Sequence, residues 1–295
     1  MLFEQIAKNK RHTILLFLGF FFVMALVGAA LGYFMWGNIT SGILVTSVGA
    51  LVYAMYMFSQ SSEVVMSMNN AQEITEPGQA PELWHIVEDM AMVAKVPMPR
   101  VFIINDPSPN AFATGNNPEN AAVAATTGIM SRLSRAELEA VMAHEMAHVK
   151  NYDIRLQTLA VALTAAIAMV GNFATNFWVM SSRRDDNRES NIIGIVLSIA
   201  ALLLAPIAAT IVQLAISRNR EYLADAGAVE LTRNPQAMIG ALEKISQSEP
   251  MRPENVSDSS AGLYIGDPLK KGSAMNSLFD THPPMASRIA ALRAM

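Results

Sequence analysis

The chain has 295 residues, of which 52% are hydrophobic and only 16% charged, with a net charge of -4 and no cysteine. Soluble domains average about 25% charged residues, so part of this chain is expected to lie in lipid. The lack of thiols excludes disulfides and thiolate metal sites, and with no basic block or tail nothing points to a nucleic-acid partner.

From Thr13 to Ser62 no side chain is charged. That stretch is too long for one crossing, and Gly37-Asn38-Ile39-Thr40 reads as a tight turn inside it. Two spans are expected, at Thr13–Trp36 and Ser41–Phe58, because about 20 apolar residues cross the hydrocarbon core. The basic start (Lys8, Lys10, Arg11) is compatible with a signal peptide, but the apolar run is too long and continues into a second span. Two more uncharged stretches, Leu156–Met180 and Asn191–Ser217, predict a second hairpin. Pro206 lies in the last, where membrane helices tolerate it. Lys8, Lys10 and Arg11 place the N-terminus in the cytoplasm. With four spans, the polar parts 59–155 and 218–295 fall on that same side. The expected organisation is therefore a membrane hairpin (1–58), a first polar part (59–155), a second hairpin (156–217) and a second polar part (218–295).

Within the first polar part, Pro81 opens an amphipathic helix to about Lys95, and Val101–Ile104 reads as a strand. Asp106–Asn110 is a loop, and Ala121–Thr126 a second strand. Ser134 with Glu137 three residues on is a capping box that starts a helix through Val149. In the second polar part Arg218–Leu231 reads as helical, and Asn234-Pro235 starts another helix. Glu249–Ser277, rich in Ser, Pro, Gly and Asp, is expected to be a long mobile loop, and a short helix follows Pro283-Pro284. The fold class is mainly α with a small β-sheet, in a multi-pass membrane protein.

His144-Glu145-Met146-Ala147-His148 is an H-E-x-x-H pattern on the capped helix. Positions i and i+4 share a helix face, so both imidazoles reach one ion, and Glu145 stands beside them as a base. With no cysteine, one zinc ion held by imidazole and carboxylate is the expected cofactor. The extended pattern with a third histidine is excluded, because residue 154 is Ile154 and residue 151 is Asn151. Arg220-Glu221-Tyr222-Leu223-Ala224-Asp225 offers a later helix with two carboxylates on one face. Glu221 would be the third ligand, and Asp225 would accept the N–H of a ligating histidine. His85, beside Trp84, reads as an ordinary histidine, and His12 as interfacial.

Together these segments resemble the HtpX-type membrane metalloproteases, relatives of the eukaryotic CAAX prenyl proteases. The likeness rests on the apolar hairpins, Asn110–Gly115, Ala143–His148 with Asn151-Tyr152-Asp153, Arg218–Gly227 and Thr281-His282-Pro283-Pro284, in that order. It implies a zincin-like (gluzincin) catalytic domain facing the cytoplasm from the cell membrane, acting on polypeptides in membrane-protein quality control under stress. It supports His144, His148 and Glu221 as ligands and Glu145 as catalytic base. It further implies that Asn110, Ala111, Phe112 and Ala113 form a sheet edge that binds substrate as an added strand. His282 and Arg288 fall where the related proteases carry groups near the reacting carbonyl, so the resemblance implies both as catalytic, His282 as the oxyanion stabiliser. Leu223 stands where many relatives have histidine, which leaves the ligand set unaffected.

Two other readings compete. An intramembrane protease would carry the motif inside an apolar span, whereas Glu137, Glu139, Lys150, Asp153 and Arg155 surround it here. A non-catalytic zinc scaffold would need a closed site of four protein ligands, whereas the sequence supplies three and a base.

Overall fold

A computed structural model of the chain describes residues 2–165, 218–257, 259–269 and 283–295. Two long helices open it, α1 (Leu2–Trp36) and α2 (Ile39–Met68). Gly37, at φ 63°, makes the turn between them, and the Asn38 side chain caps α2 by accepting from the Ser41 N–H at 3.2 Å. These are the two described helices long and apolar enough to cross a membrane. The α2 helix runs past the expected end at Phe58, because nothing breaks it before Asn69-Asn70, where Asn70 turns to φ 50°.

The two helices touch through small residues. A Cβ on Gly32 would lie 2.6 Å from the Gly42 Cα, and one on Gly28 would lie 2.7 Å from the Gly42 carbonyl oxygen. Glycines four residues apart let membrane helices approach to backbone contact. A row of large apolar side chains (Leu18, Phe22, Leu44, Val52, Met55) points outward and uncovered.

Beyond α2 comes a four-stranded sheet of order β1-β2-β4-β3, with β1 (Gln72–Ile74), β2 (Arg100–Ile104), β3 (Ala111–Gly115) and β4 (Ala121–Thr126). The β2–β4 pair is parallel and the other two are antiparallel, so β3 is an edge. The three-residue β1 was not expected from the sequence. Side chains alternate across the sheet. Val101, Ala111, Ala113, Val123 and Ala125 face a core shared with α3 (Pro81–Ala94), α5 (Arg135–Lys150) and α8 (Pro235–Ser246). Phe102, Ile104, Phe112, Ala122 and Ala124 face a second core with Val65 and Met66 of α2 and Met251, Leu263 and Tyr264 from the loop after α8. The end of α2 is thereby packed onto the sheet. Burial on both faces explains why β4 is almost wholly apolar. A short α4 (Thr127–Arg132) links β4 to α5.

The expected capping box of α5 is present: the Ser134 hydroxyl accepts from the Glu137 N–H, and the Glu137 carboxylate accepts from the Ser134 N–H at 2.7 Å. From Ala140 to Val149 every residue of α5 is buried, so it is the central helix. Helical residues 153–165 (α6) pack Leu156, Ala160 and Leu163 against Leu16, Phe20 and Val23 of α1. The rest of the third apolar segment and all of the fourth lie outside the described residues. Then follow α7 (Arg218–Thr232), α8 and α9 (Met285–Arg293). The segment expected to be a mobile loop is, over residues 262–266, buried. Tyr264 anchors it: its ring meets Phe112 edge-on at 4.8 Å, and its hydroxyl donates to Asn69 Oδ1 at 3.0 Å.

Candidate metal centre

The α5 and α7 helices cross at small residues. A Cβ on Gly227 would lie 2.8 Å from the Ala147 Cβ, and Ala224 and Ala228 are also buried in the contact region. That closeness brings the α7 carboxylates to the α5 imidazoles. His144 Nε2 and His148 Nε2 stand 3.2 Å apart. Glu221 Oε2 is 3.7 Å from His144 Nε2, and Glu221 Oε1 is 3.6 Å from His148 Nε2. Metal bonds of about 2.0–2.1 Å at tetrahedral angles set neighbouring ligand atoms about 3.4 Å apart. The two imidazole nitrogens have that spacing, the two Glu221 oxygens each lie slightly wider from one of them, and one donor atom from each of the three residues falls within 4.8 Å of the others, so this group can hold one ion.

The far nitrogens of both rings meet carboxylates. His144 Nδ1 lies 3.0 Å from Asp225 Oδ1, a close approach whose direction departs from a straight hydrogen bond. His148 Nδ1 lies 3.1 Å from Asp153 Oδ2. Such contacts orient a metal-binding imidazole and leave Nε2 for the ion. Asp153 reaches His148 because α5 stops at Asn151 and Tyr152 takes a left-handed turn at φ 59°. Five residues along an unbroken helix would have pointed it elsewhere.

Two arginines complete the shell. Arg288, on α9, donates to Asp225 through Nε at 2.8 Å and Nη2 at 2.6 Å, and its Nη1 is 3.5 Å from Glu221 Oε2. Arg288 is fully buried, and Nη1 also donates to the Ile265 carbonyl at 2.9 Å. Arg220 is buried with Nε 3.7 Å from Asp153 Oδ1. Four buried carboxylates (Glu145, Asp153, Glu221, Asp225) face two buried arginines, so with neutral histidines the cluster carries −4 + 2 = −2. Buried charge of that sign calls for compensation, and a divalent cation in place of protons on His144 and Glu145 supplies it.

The protonation preferences follow. Burial pushes the His144 imidazole down, but Asp225 and Glu221 outweigh it and raise it to about 9. Burial lifts the Glu145 carboxyl above the usual carboxylate range, against the pull of His144 and His148. Burial also pushes Asp225 up, but the Arg288 fork more than reverses this and holds it low.

Glu145 is buried beside both ligands, on α5. Asn110 sits just before the edge strand β3, and Ala111, Phe112 and Ala113 lie within it, all buried. His282 lies outside the described residues. The sequence marks Asp153 only as part of a resembling motif and as one of the charges around the H-E-x-x-H helix, and Arg220 only as a neighbour of Glu221, with no role at the metal for either. A carboxylate close after the second histidine was the available signal for Asp153. Nothing in the sequence distinguished Arg220 from an exposed helix charge. His85 is exposed and pairs with Glu88 at 3.3 Å.

Known proteins resemble this chain over most or all of its length. Residues 77–295 match Peptidase family M48. A protein named Protease HtpX homolog from Limosilactobacillus fermentum is 60% identical over 301 residues, covering 100% of both chains. One of the same name from Streptococcus gordonii is 55% identical over 300 residues, again covering 100% of both. Among solved structures, the crystal structure of S. mikatae Ste24p has a similar fold, with a TM-score of 0.50 and 21% identity. The alignment covers 92% of this chain and 62% of that one.

Proposed function

The chain belongs to peptidase family M48 and is a membrane metalloprotease, and from that premise we propose that it is a zinc endopeptidase that hydrolyses misfolded or damaged membrane proteins at the cytoplasmic face. The observation that carries the proposal is the convergence of His144, His148 and Glu221 on one buried point with Glu145 adjoining. Three protein ligands leave a fourth position open, which favours catalysis over a structural site.

Zinc, when bound, supplies Lewis-acid polarisation of the peptide carbonyl and acidifies water there. Glu145 takes the proton of the attacking water and delivers it to the leaving amine nitrogen as the C–N bond breaks. Its raised proton affinity, set by burial, suits a group that must hold that proton between the two steps. Asp225 and Asp153 hold the two imidazoles in orientation. Arg288 acts through Asp225 and Glu221, since its donors point at them. His282 is assigned to the oxyanion on the resemblance. An extended substrate pairs with the β3 edge.

The cytoplasmic placement rests on Lys8, Lys10 and Arg11 at the N-terminus. In support, Arg220 Nη2 stands 3.5 Å from His12 Nδ1, so the start of α7 and the N-terminal part of α1 are at the same end of the hairpin.

The test is cleavage of casein by the purified, zinc-loaded chain in detergent, beside Glu145→Gln. Cleavage by the parent alone is expected. Equal cleavage by both, or none by the parent with zinc bound, refutes the proposal.

A further inference from the structure

Strand β3 pairs with β4 through alternate residues. Asn110 is bonded to Thr126: the Thr126 N–H donates to the Asn110 carbonyl at 3.0 Å, and the Asn110 N–H donates to the Thr126 hydroxyl at 2.9 Å. By the two-residue period, Phe112 and Thr114 also direct their backbone groups to β4, and Ala111, Ala113 and Gly115 direct theirs to the open side. On that open side the protein already occupies two of the three positions. The Ala111 carbonyl accepts from the Ile265 N–H at 2.9 Å. The Gly115 N–H donates to the Thr158 hydroxyl at 3.0 Å. Among the described residues, nothing bonds the backbone of Ala113 on the open side.

The Ile265–Gly266 pair is held by every backbone polar group it has. Ile265 donates to Ala111, and its carbonyl accepts from Arg288 Nη1 at 2.9 Å. Gly266 is clipped by the Asn110 amide, which accepts from its N–H at 3.1 Å and donates to its carbonyl at 2.9 Å. There is no room for a side chain at Gly266, since a Cβ would lie 2.5 Å from Ile245 Cγ2. Displacing the pair would strand these buried groups and withdraw a partner from Arg288, which also holds Asp225.

We propose that Ile265–Gly266 is a fixed end wall of the substrate groove, and that Asn110 is a positioning residue that holds this wall without itself binding substrate. The inference rests on the reading of β3 as the substrate edge. An extended peptide then finds the Ala111 carbonyl taken, gains main-chain bonds at Ala113 and must leave the sheet before Ala111. Ala113 is 2% exposed, so a substrate reaches that rung only where its cover moves aside while the wall stays. The favoured substrate is therefore a chain extended over a few residues and free to bend on either side, as in an unfolded loop. A long rigid strand would collide with Ile265.

Hydrogen exchange on zinc-loaded Glu145→Gln with and without casein tests this without altering the wall. The Ile265 and Gly266 amides are expected to stay slow in both, while the Ala113 amide gains protection. Loss of protection at Ile265 and Gly266 on adding casein would mean a displaceable lid and overturn the wall. No change at Ala113, with cleavage by the parent established, would overturn the β3 pairing on which the wall depends while leaving the endopeptidase intact. Mapping casein fragments supplies a second reading. Asn110→Ala is expected to keep zinc and to redistribute the cleaved bonds; an unchanged map at unchanged zinc content would sink the role given to Asn110.

Discussion

The α1/α2 hairpin and the α5/α7 pair are both close helix crossings made by small residues, yet they are put to opposite uses. In the hairpin, Gly28, Gly32 and Gly42 bring backbones together with no ionisable group in the contact, and the large apolar side chains face outward. In the α5/α7 pair, Ala147 and Gly227 bring the helices together so that two histidines and three carboxylates share one buried volume. The hairpin needs lipid to cover its outer face. The α5/α7 pair needs α8, α9 and the sheet to cover it, and a cation to neutralise it. Small residues at a helix crossing therefore say that two helices are close, and the residues one turn away say what the closeness is for.

Changes confined to the α5/α7 pair should abolish chemistry and leave the hairpin standing. The largest effect is expected for Glu145→Gln, with cleavage falling by at least about 10²–10⁴-fold, the usual contribution of a general base, while zinc remains at the parent's level. Next is Glu221→Ala, which removes a ligand; metal analysis of the purified variant should find zinc far below the parent, and equal zinc would remove Glu221 from the ligand set. Asp153→Ala and Asp225→Ala should each weaken zinc binding by about 10–100-fold in a chelator competition, because each orients one imidazole. If Asp153→Ala matched the parent, the two imidazoles would not be equivalently supported.

Much of the metal group was legible in the sequence because its parts repeat at helical spacing. His144 and His148, and Glu221 and Asp225, are i and i+4 pairs, and the Ser134–Glu137 box marks where α5 begins. Asp153 was not, because it reaches His148 only through the left-handed turn at Tyr152, which breaks the period. The α2 helix was read as ending where the apolar run thins, but nothing breaks it, and it carries Val65 and Met66 on to the sheet. The strand β1 is too short to show a pattern. The wall at Ile265–Gly266 lies in a stretch rich in turn formers, and what orders it is contact with Asn110, Phe112 and Arg288, all distant in sequence.

Changes confined to the hairpin should do the reverse. Gly32→Leu forces a side chain against Gly42 and should destabilise the hairpin by about 1–3 kcal/mol, measured by unfolding in mixed detergent, with zinc affinity unchanged. A parallel loss of zinc would show that the two crossings are coupled. The smallest effect is expected at Glu137, which closes the α5 cap and pairs with Lys244 at 2.6 Å. Glu137→Ala should cost about 1 kcal/mol. Burial pushes the Glu137 carboxyl up, but Lys244 and Ser134 hold it below its usual value. Its contribution is therefore complete above the unfolded carboxylate range near about 4.3 and is lost as pH falls through the lower folded value. A parent–variant stability gap that did not narrow in acid would contradict this.

Arg288 lies downstream in the chain of every residue it braces. Ribosomes build a chain in order, so α5 with both histidines exists well before α9 can brace Asp225, Glu221 and Ile265. Until then the carboxylates on α7 lack their guanidinium partner and the groove lacks its end wall. A chain cut between α8 and α9 would therefore carry both histidines and both α7 carboxylates without the guanidinium that holds Asp225 and the Ile265 carbonyl.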